Sequence, residues 1–128
     1  METDRDFIGL AQTGTGKTAA FGLPLLQKID ANDKHTQALI VAPTRELCLQ
    51  ITSDLEKFSS EMKQVAVVAV YGGSSIDNQV RALKKGAQVI VATPGRLVDL
   101  IERRAAQLSH VQIVVLDEAD EMLNMGFR

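Results

Sequence analysis

The stretch DFIGLAQTGTGKTAAFGLPLL, residues 6–26, changes character twice. Residues 6–10 are apolar and fit a buried strand. Residues 11–18 hold two glycines, three threonines and a lysine. Residues 19–26 are apolar again. A strand, a glycine-rich turn and a helix in that order are the parts of a phosphate loop. Gly14 and Gly16 take the Cβ atoms out of the way, so backbone N–H groups can turn inward on a polyphosphate. The helix that follows presents its positive end to the same point. In this pattern Lys17 reaches the outer phosphates and the Thr18 hydroxyl ligates Mg²⁺. Gln12, Thr13, Gly14, Thr15, Gly16, Lys17 and Thr18 are therefore the candidate nucleotide-binding set. Ala11 stands where the pattern has its first glycine, a small change where φ stays negative. The plain alternative is a glycine-rich β–α turn with a solvated lysine. Pro24 is expected to kink or end the helix near its position.

Four more apolar, β-branched runs follow: QALIVA (37–42), QVAVVAVY (64–71), QVIVA (88–92) and VQIVVLD (111–117). They are nearly continuous, as strands buried on both faces are. The segments between them have helical spacing: Leu47, Ile51, Leu55 and Phe58; Ile76, Val80 and Leu83; Leu97, Leu100 and Ile101. Ser74-Ser75-Ile76-Asp77 fits a capping box, and Thr93-Pro94 an N-cap followed by proline at the first helical position. Residues 30–36, DANDKHT, fit a surface loop. Each gap is long enough for a crossover helix. The alternation predicts a three-layer α/β domain with a mostly parallel sheet of about five strands and right-handed crossovers.

Composition bounds the function. The 128 residues are 45% hydrophobic and 23% charged, ordinary globular values. Net charge is −2, so nucleic-acid contact is expected to be local rather than a general basic coat. One cysteine, Cys48, makes no internal disulfide framework. The charged start METDRD is followed by no apolar signal region, and no apolar run is long enough to span a bilayer. A soluble, cytoplasmic protein without a membrane partner is the expectation. Cys48, one turn before Ile51, is read as packing, and Met122 and Met125 as core or contact filler. His35 and His110 are too far apart in sequence to argue for a metal site.

Asp117-Glu118-Ala119-Asp120 closes the last apolar run. In open parallel sheets, ligands bind beyond the carboxyl ends of the strands, so these acids and the glycine-rich loop are expected at one edge. Asp117 can then hold Mg²⁺, and Glu118 can accept the proton of an attacking water. That glutamate favours a hydrolase over a small-molecule kinase. The alternative is that the acids only favour the start of a following helix.

Taken together, AQTGTGKT (11–18), PTREL (43–47), GG (72–73), TPGR (93–96) and DEAD (117–120) resemble, in order, the motifs of the DEAD-box family of ATP-dependent RNA helicases. The resemblance covers essentially the whole chain and disfavours other P-loop ATPases. It implies the first RecA-like ATP-binding domain of a helicase, using ATP and Mg²⁺ and coupling hydrolysis to RNA unwinding or remodelling. It implies catalytic roles for Glu118, Lys17 and Asp117, metal ligation by Thr18 and Asp117, and interdomain coupling through Asp120. It implies contact with single-stranded or duplex RNA through Pro43, Thr44, Arg45, Gly72, Gly73, Thr93, Pro94, Gly95 and Arg96. PTREL and TPGR each follow a strand and open a helix, offering backbone N–H groups, a hydroxyl and a guanidinium to a sugar-phosphate backbone. The plain alternatives are turn glycines, helix-capping threonines and solvated arginines.

The same family carries an adenine-reading glutamine motif upstream of the phosphate loop. It also has a Ser-Ala-Thr strand downstream and a second RecA-like domain that supplies arginines to the γ-phosphate. None is found in residues 1–128, and Gln12 belongs to the phosphate loop. An arginine finger is worth about 10³–10⁵ in turnover, so this polypeptide alone is expected to be a very poor ATPase and no helicase. The alternative function is a non-catalytic fragment that holds nucleotide or RNA weakly. In the family the Ser-Ala-Thr strand commonly lies between the phosphate-loop strand and the DEAD strand. The expected outcomes are a widened sheet, direct pairing of those two strands, or filling by another chain.

Overall fold

The structure, a computed structural model, describes residues 6–10, 15–62 and 64–117. Strands and helices alternate: β1 (Asp6–Leu10), α1 (Thr15–Lys28), β2 (Ala38–Val41), α2 (Arg45–Ser60), β3 (Val67–Val70), α3 (Ile76–Lys84), β4 (Val89–Ala92), α4 (Pro94–Glu102) and β5 (Ile113–Asp117). All strands are parallel, in the order β1-β5-β2-β4-β3. The five apolar runs of the sequence are these five strands. β1 and β5 are hydrogen-bonded neighbours, so of the three expected outcomes the sheet takes direct pairing.

Alternate residues of β2, β3, β4 and β5 face opposite layers, as the period of two requires. Ala38, Ile40, Val89, Val91, Ile113 and Val115 join Phe21, Leu25 and Leu26 of α1 and Ile51 and Leu55 of α2 in one core. Leu39, Val41, Ile90 and Ala92 join Leu97 and Leu100 of α4 in the other, with Ile76, Val80 and Leu83 of α3 packed alongside. Burying aliphatic side chains on both faces contributes roughly 1.5–3 kcal/mol each, and that explains why so short a chain sustains three layers.

Two local expectations change. Pro24 lies inside α1, which runs on to Lys28. Leu25, Leu26 and Ile29 beyond it are all buried, and their packing outweighs the lost backbone bond. The cap of α3 is Ser75, one residue later than the capping-box spacing gives, and its hydroxyl accepts from Asn78 N–H at 3.3 Å. Residues 30–36 form the expected loop, tightened where Asp30 and Asp33 carboxylates accept from the N–H of Asn32 and His35.

Candidate functional site

In a fully parallel sheet every segment that leaves a strand's carboxyl end emerges on one edge. PTREL, GG and TPGR do so here, and Asp117 ends β5 at the same edge. β1 leads toward α1 through residues 11–14, which lie outside the described residues together with Glu118 and Asp120. Gln12, Thr13 and Gly14 thus lie outside the described residues. Thr15, Gly16 and Lys17 open α1, and Thr18 in its first turn is 1% exposed. On the neighbouring strand Asp117 is the register partner of Leu10, the last residue of β1. The acidic residue is therefore level with the start of the glycine-rich loop. A threonine hydroxyl and a carboxylate are oxygen donors of the kind a hard divalent cation takes.

Further along the edge, the ends of β2, β4 and β3 are in register, with Val41 beside Ala92 and Ala92 beside Val70. Backbone bonds carry this alignment past the strand ends: Ala42 N–H donates to Ala92 O at 2.9 Å, and Thr93 N–H to Val70 O at 3.0 Å. PTREL, GG and TPGR consequently emerge side by side.

The two threonines differ. Thr44 caps α2, its hydroxyl accepting from Leu47 N–H at 3.1 Å. Thr93 holds the N-cap position of α4 ahead of Pro94, but its side chain makes no capping bond. The plain capping role therefore accounts for the Thr44 hydroxyl and not for that of Thr93. Gly73 has φ of 82°, a left-handed conformation that favours glycine, and Gly72 and Gly95 face open space.

The arginines are held by their neighbours. The Arg45 guanidinium lies 5.8 Å from the centre of the Tyr71 ring, within cation–π range. Arg96 donates from Nη1 to Gln79 Oε1 at 2.9 Å and from both Nη1 and Nη2 to Ser74 O at 3.3 Å. Gln79 in turn donates from Nε2 to Tyr71 O at 3.1 Å. The sequence did not single out Tyr71 or Gln79, and it offered Ser74 only as a helix cap. The available signal was a glutamine on the apolar face of α3, three residues after Ile76 and four before Leu83.

Away from this edge, Cys48 is fully buried as expected, its thiol donating to Val91 O at 3.1 Å. Burial pushes that thiol up to about 12 from an ordinary 9.0, so it is no nucleophile. At the opposite edge the rings of His35 and His110 stack, 3.7 Å between centroids and 17° between planes, a contact their sequence separation concealed. His35 N–H and ring bonds hold the Asp33 carboxyl below its usual range. Met122 and Met125 lie outside the described residues.

Comparison with known proteins agrees with this arrangement. The family model described as DEAD/DEAH box helicase matches residues 1–128. An ATP-dependent RNA helicase CshA of Listeria monocytogenes is 61% identical over 123 residues, covering 96% of this chain and 24% of that protein. A DEAD-box ATP-dependent RNA helicase CshA of Geobacillus kaustophilus is 56% identical, covering 97% of this chain and 26% of the relative. The chain thus spans about a quarter of the length of the curated relatives it matches. Among solved structures, the yeast DEAD-box splicing factor Prp28 superposes over 100% of this chain and 31% of its own, with a TM-score of 0.83 and 37% identity. With a match along its whole length, five family motifs in order and the RecA-like fold of a solved relative, this chain belongs to the DEAD/DEAH box helicase family.

Proposed function

We propose that this chain is part of the first RecA-like, ATP-binding domain of an ATP-dependent RNA helicase. In the full polypeptide, a second RecA-like domain would complete the ATP site and RNA cleft. The observation that carries the proposal is the register of β1 with β5, in which Asp117 lies level with the residue that precedes the glycine-rich loop. Residues 12–18 would bind the triphosphate, with Lys17 neutralising its outer charge. Thr18 and Asp117 would hold Mg²⁺, which when bound supplies further charge neutralisation at those phosphates. Glu118 would take the proton from the attacking water. Asp120 would couple the site to the second domain.

RNA would lie along the neighbouring strand ends. Pro43, Thr44, Arg45, Gly72, Gly73, Thr93, Pro94, Gly95 and Arg96 would meet its sugar-phosphate backbone without reading bases. Supporting this are the glycines that open onto free space and the Thr93 hydroxyl left without a capping bond. No described helix is long and apolar enough to cross a membrane, and we assign the cytoplasm as the site of action.

The test is RNA-stimulated phosphate release by the natural polypeptide carrying this sequence. Lys17→Ala and Glu118→Gln should each reduce turnover at least a hundredfold, the scale of a lost acid–base or electrostatic group. Undiminished turnover in Glu118→Gln would sink the role assigned to that residue.

A further inference from the structure

Gln79 is the one residue of α3 that is buried outright, at 7% exposure, although it is polar. A buried amide is costly unless its polar ends find partners. Both ends of Gln79 do, and the partners belong to two different motifs. Its N–H reaches Tyr71 O at the start of the glycine loop, and its oxygen receives the Arg96 guanidinium from TPGR. Arg96 then closes back onto the same loop at Ser74 O. Among the described residues, the Tyr71 and Ser74 carbonyls are thus tied by side chains rather than by backbone bonds.

The loop between those carbonyls is Gly72-Gly73, with one glycine in open space and the other at φ of 82°. Glycines retain the most freedom when nothing restrains them, and fixing such a backbone on binding costs conformational entropy. A clamp that fixes it beforehand removes that cost from the binding step. Arg96 spends three of its donor contacts on this clamp.

We propose that Gln79 is a positioning residue for RNA. Through Arg96 and the Tyr71 and Ser74 carbonyls, it locks the glycine loop to the start of α4, so that GG and TPGR present one preformed surface to the sugar-phosphate backbone. Arg96 is a strut of that surface as well as a charge on it. The inference rests on the assignment of this edge to RNA.

The test uses the natural polypeptide with Gln79→Met, which keeps the side-chain volume and removes both polar ends, and Gln79→Glu, which keeps an acceptor for Arg96. Hydrogen exchange without RNA is the first readout. Gln79→Met should speed exchange across residues 72–75 about tenfold, the scale of one lost buried partner, and leave β2 protected. Binding of a fluorescein-labelled oligouridylate is the second. Its Kd should rise about tenfold in Gln79→Met, and KM for RNA should rise more than kcat falls. Gln79→Glu should recover part of both effects. Combining Gln79→Met with Arg96→Ala should add little to Arg96→Ala alone. Unchanged exchange in the loop, or a uniform loss of protection across both cores, overturns the clamp. Unchanged RNA affinity with a loosened loop overturns its role in positioning RNA. A wild-type protein that binds no RNA overturns the assignment of the face, and the exchange comparison then decides the clamp by itself.

Discussion

The backbone of Arg104 has φ of 60°, the only positive value among the described non-glycine residues. It follows the C-cap of α4, where its N–H donates to Ile101 O and the next N–H, of Ala105, to Leu100 O, both at 2.9 Å. That double closure is a Schellman motif, whose left-handed position glycine usually fills. α3 also ends on a left-handed residue, there Gly86 with φ of 106°, whose N–H donates to Leu83 O at 3.0 Å. Arg104→Gly should therefore stabilise the fold by about 0.5–1 kcal/mol, seen as a higher urea midpoint. Cys48 yields a pH effect of known sign. Its folded thiol titrates near 12 against an ordinary 9.0, so the unfolded chain loses the proton first. Stability is untouched below about pH 9 and falls between 9 and 12 by up to ~1.4 kcal/mol per pH unit. The difference in urea midpoint between wild type and Cys48→Ala, followed from pH 8 to 11, isolates this slope from other titrating groups.

For the helices, caps make the sharper test. Thr44→Ala removes a hydroxyl that accepts from Leu47 N–H and should cost about 1 kcal/mol. Thr93→Ala removes no capping bond and should cost a few tenths at most. Thermal denaturation of both variants checks the contrast, and a stability loss in Thr93→Ala equal to that of Thr44→Ala would refute it. Element identity was legible because each strand is apolar on both faces and each helix carries a stripe. Element ends were less so. Ser74 and Ser75 offer the same hydroxyl to a helix start, and only the backbone path chooses Ser75. The continuation of α1 through Pro24 was hidden for a related reason: it depends on Leu25, Leu26 and Ile29 reaching a core that local pattern does not describe.

Across the whole molecule, the gathering of PTREL, GG and TPGR on one edge was legible as soon as the sheet was read as parallel, since that edge collects every strand's exit. Strand order was not, because an apolar run carries no record of its neighbours. The clamp of Gln79 and Arg96, the ring of Tyr71 under Arg45 and the stack of His35 on His110 share that character. Each joins residues of different segments, through side chains whose meeting depends on the order β1-β5-β2-β4-β3. Local chemistry names the parts of the candidate site, while topology decides which of them touch.

The same order has a bearing on how the protein comes into being. Among the described residues β1 is at the sheet's edge and pairs with β5 alone, with Asp6 opposite Ile113. A ribosome adding roughly 5–20 residues per second delivers the first strand many seconds before its partner exists. During that interval β2, β4 and β3 can begin to assemble, while β1 waits for β5 to emerge.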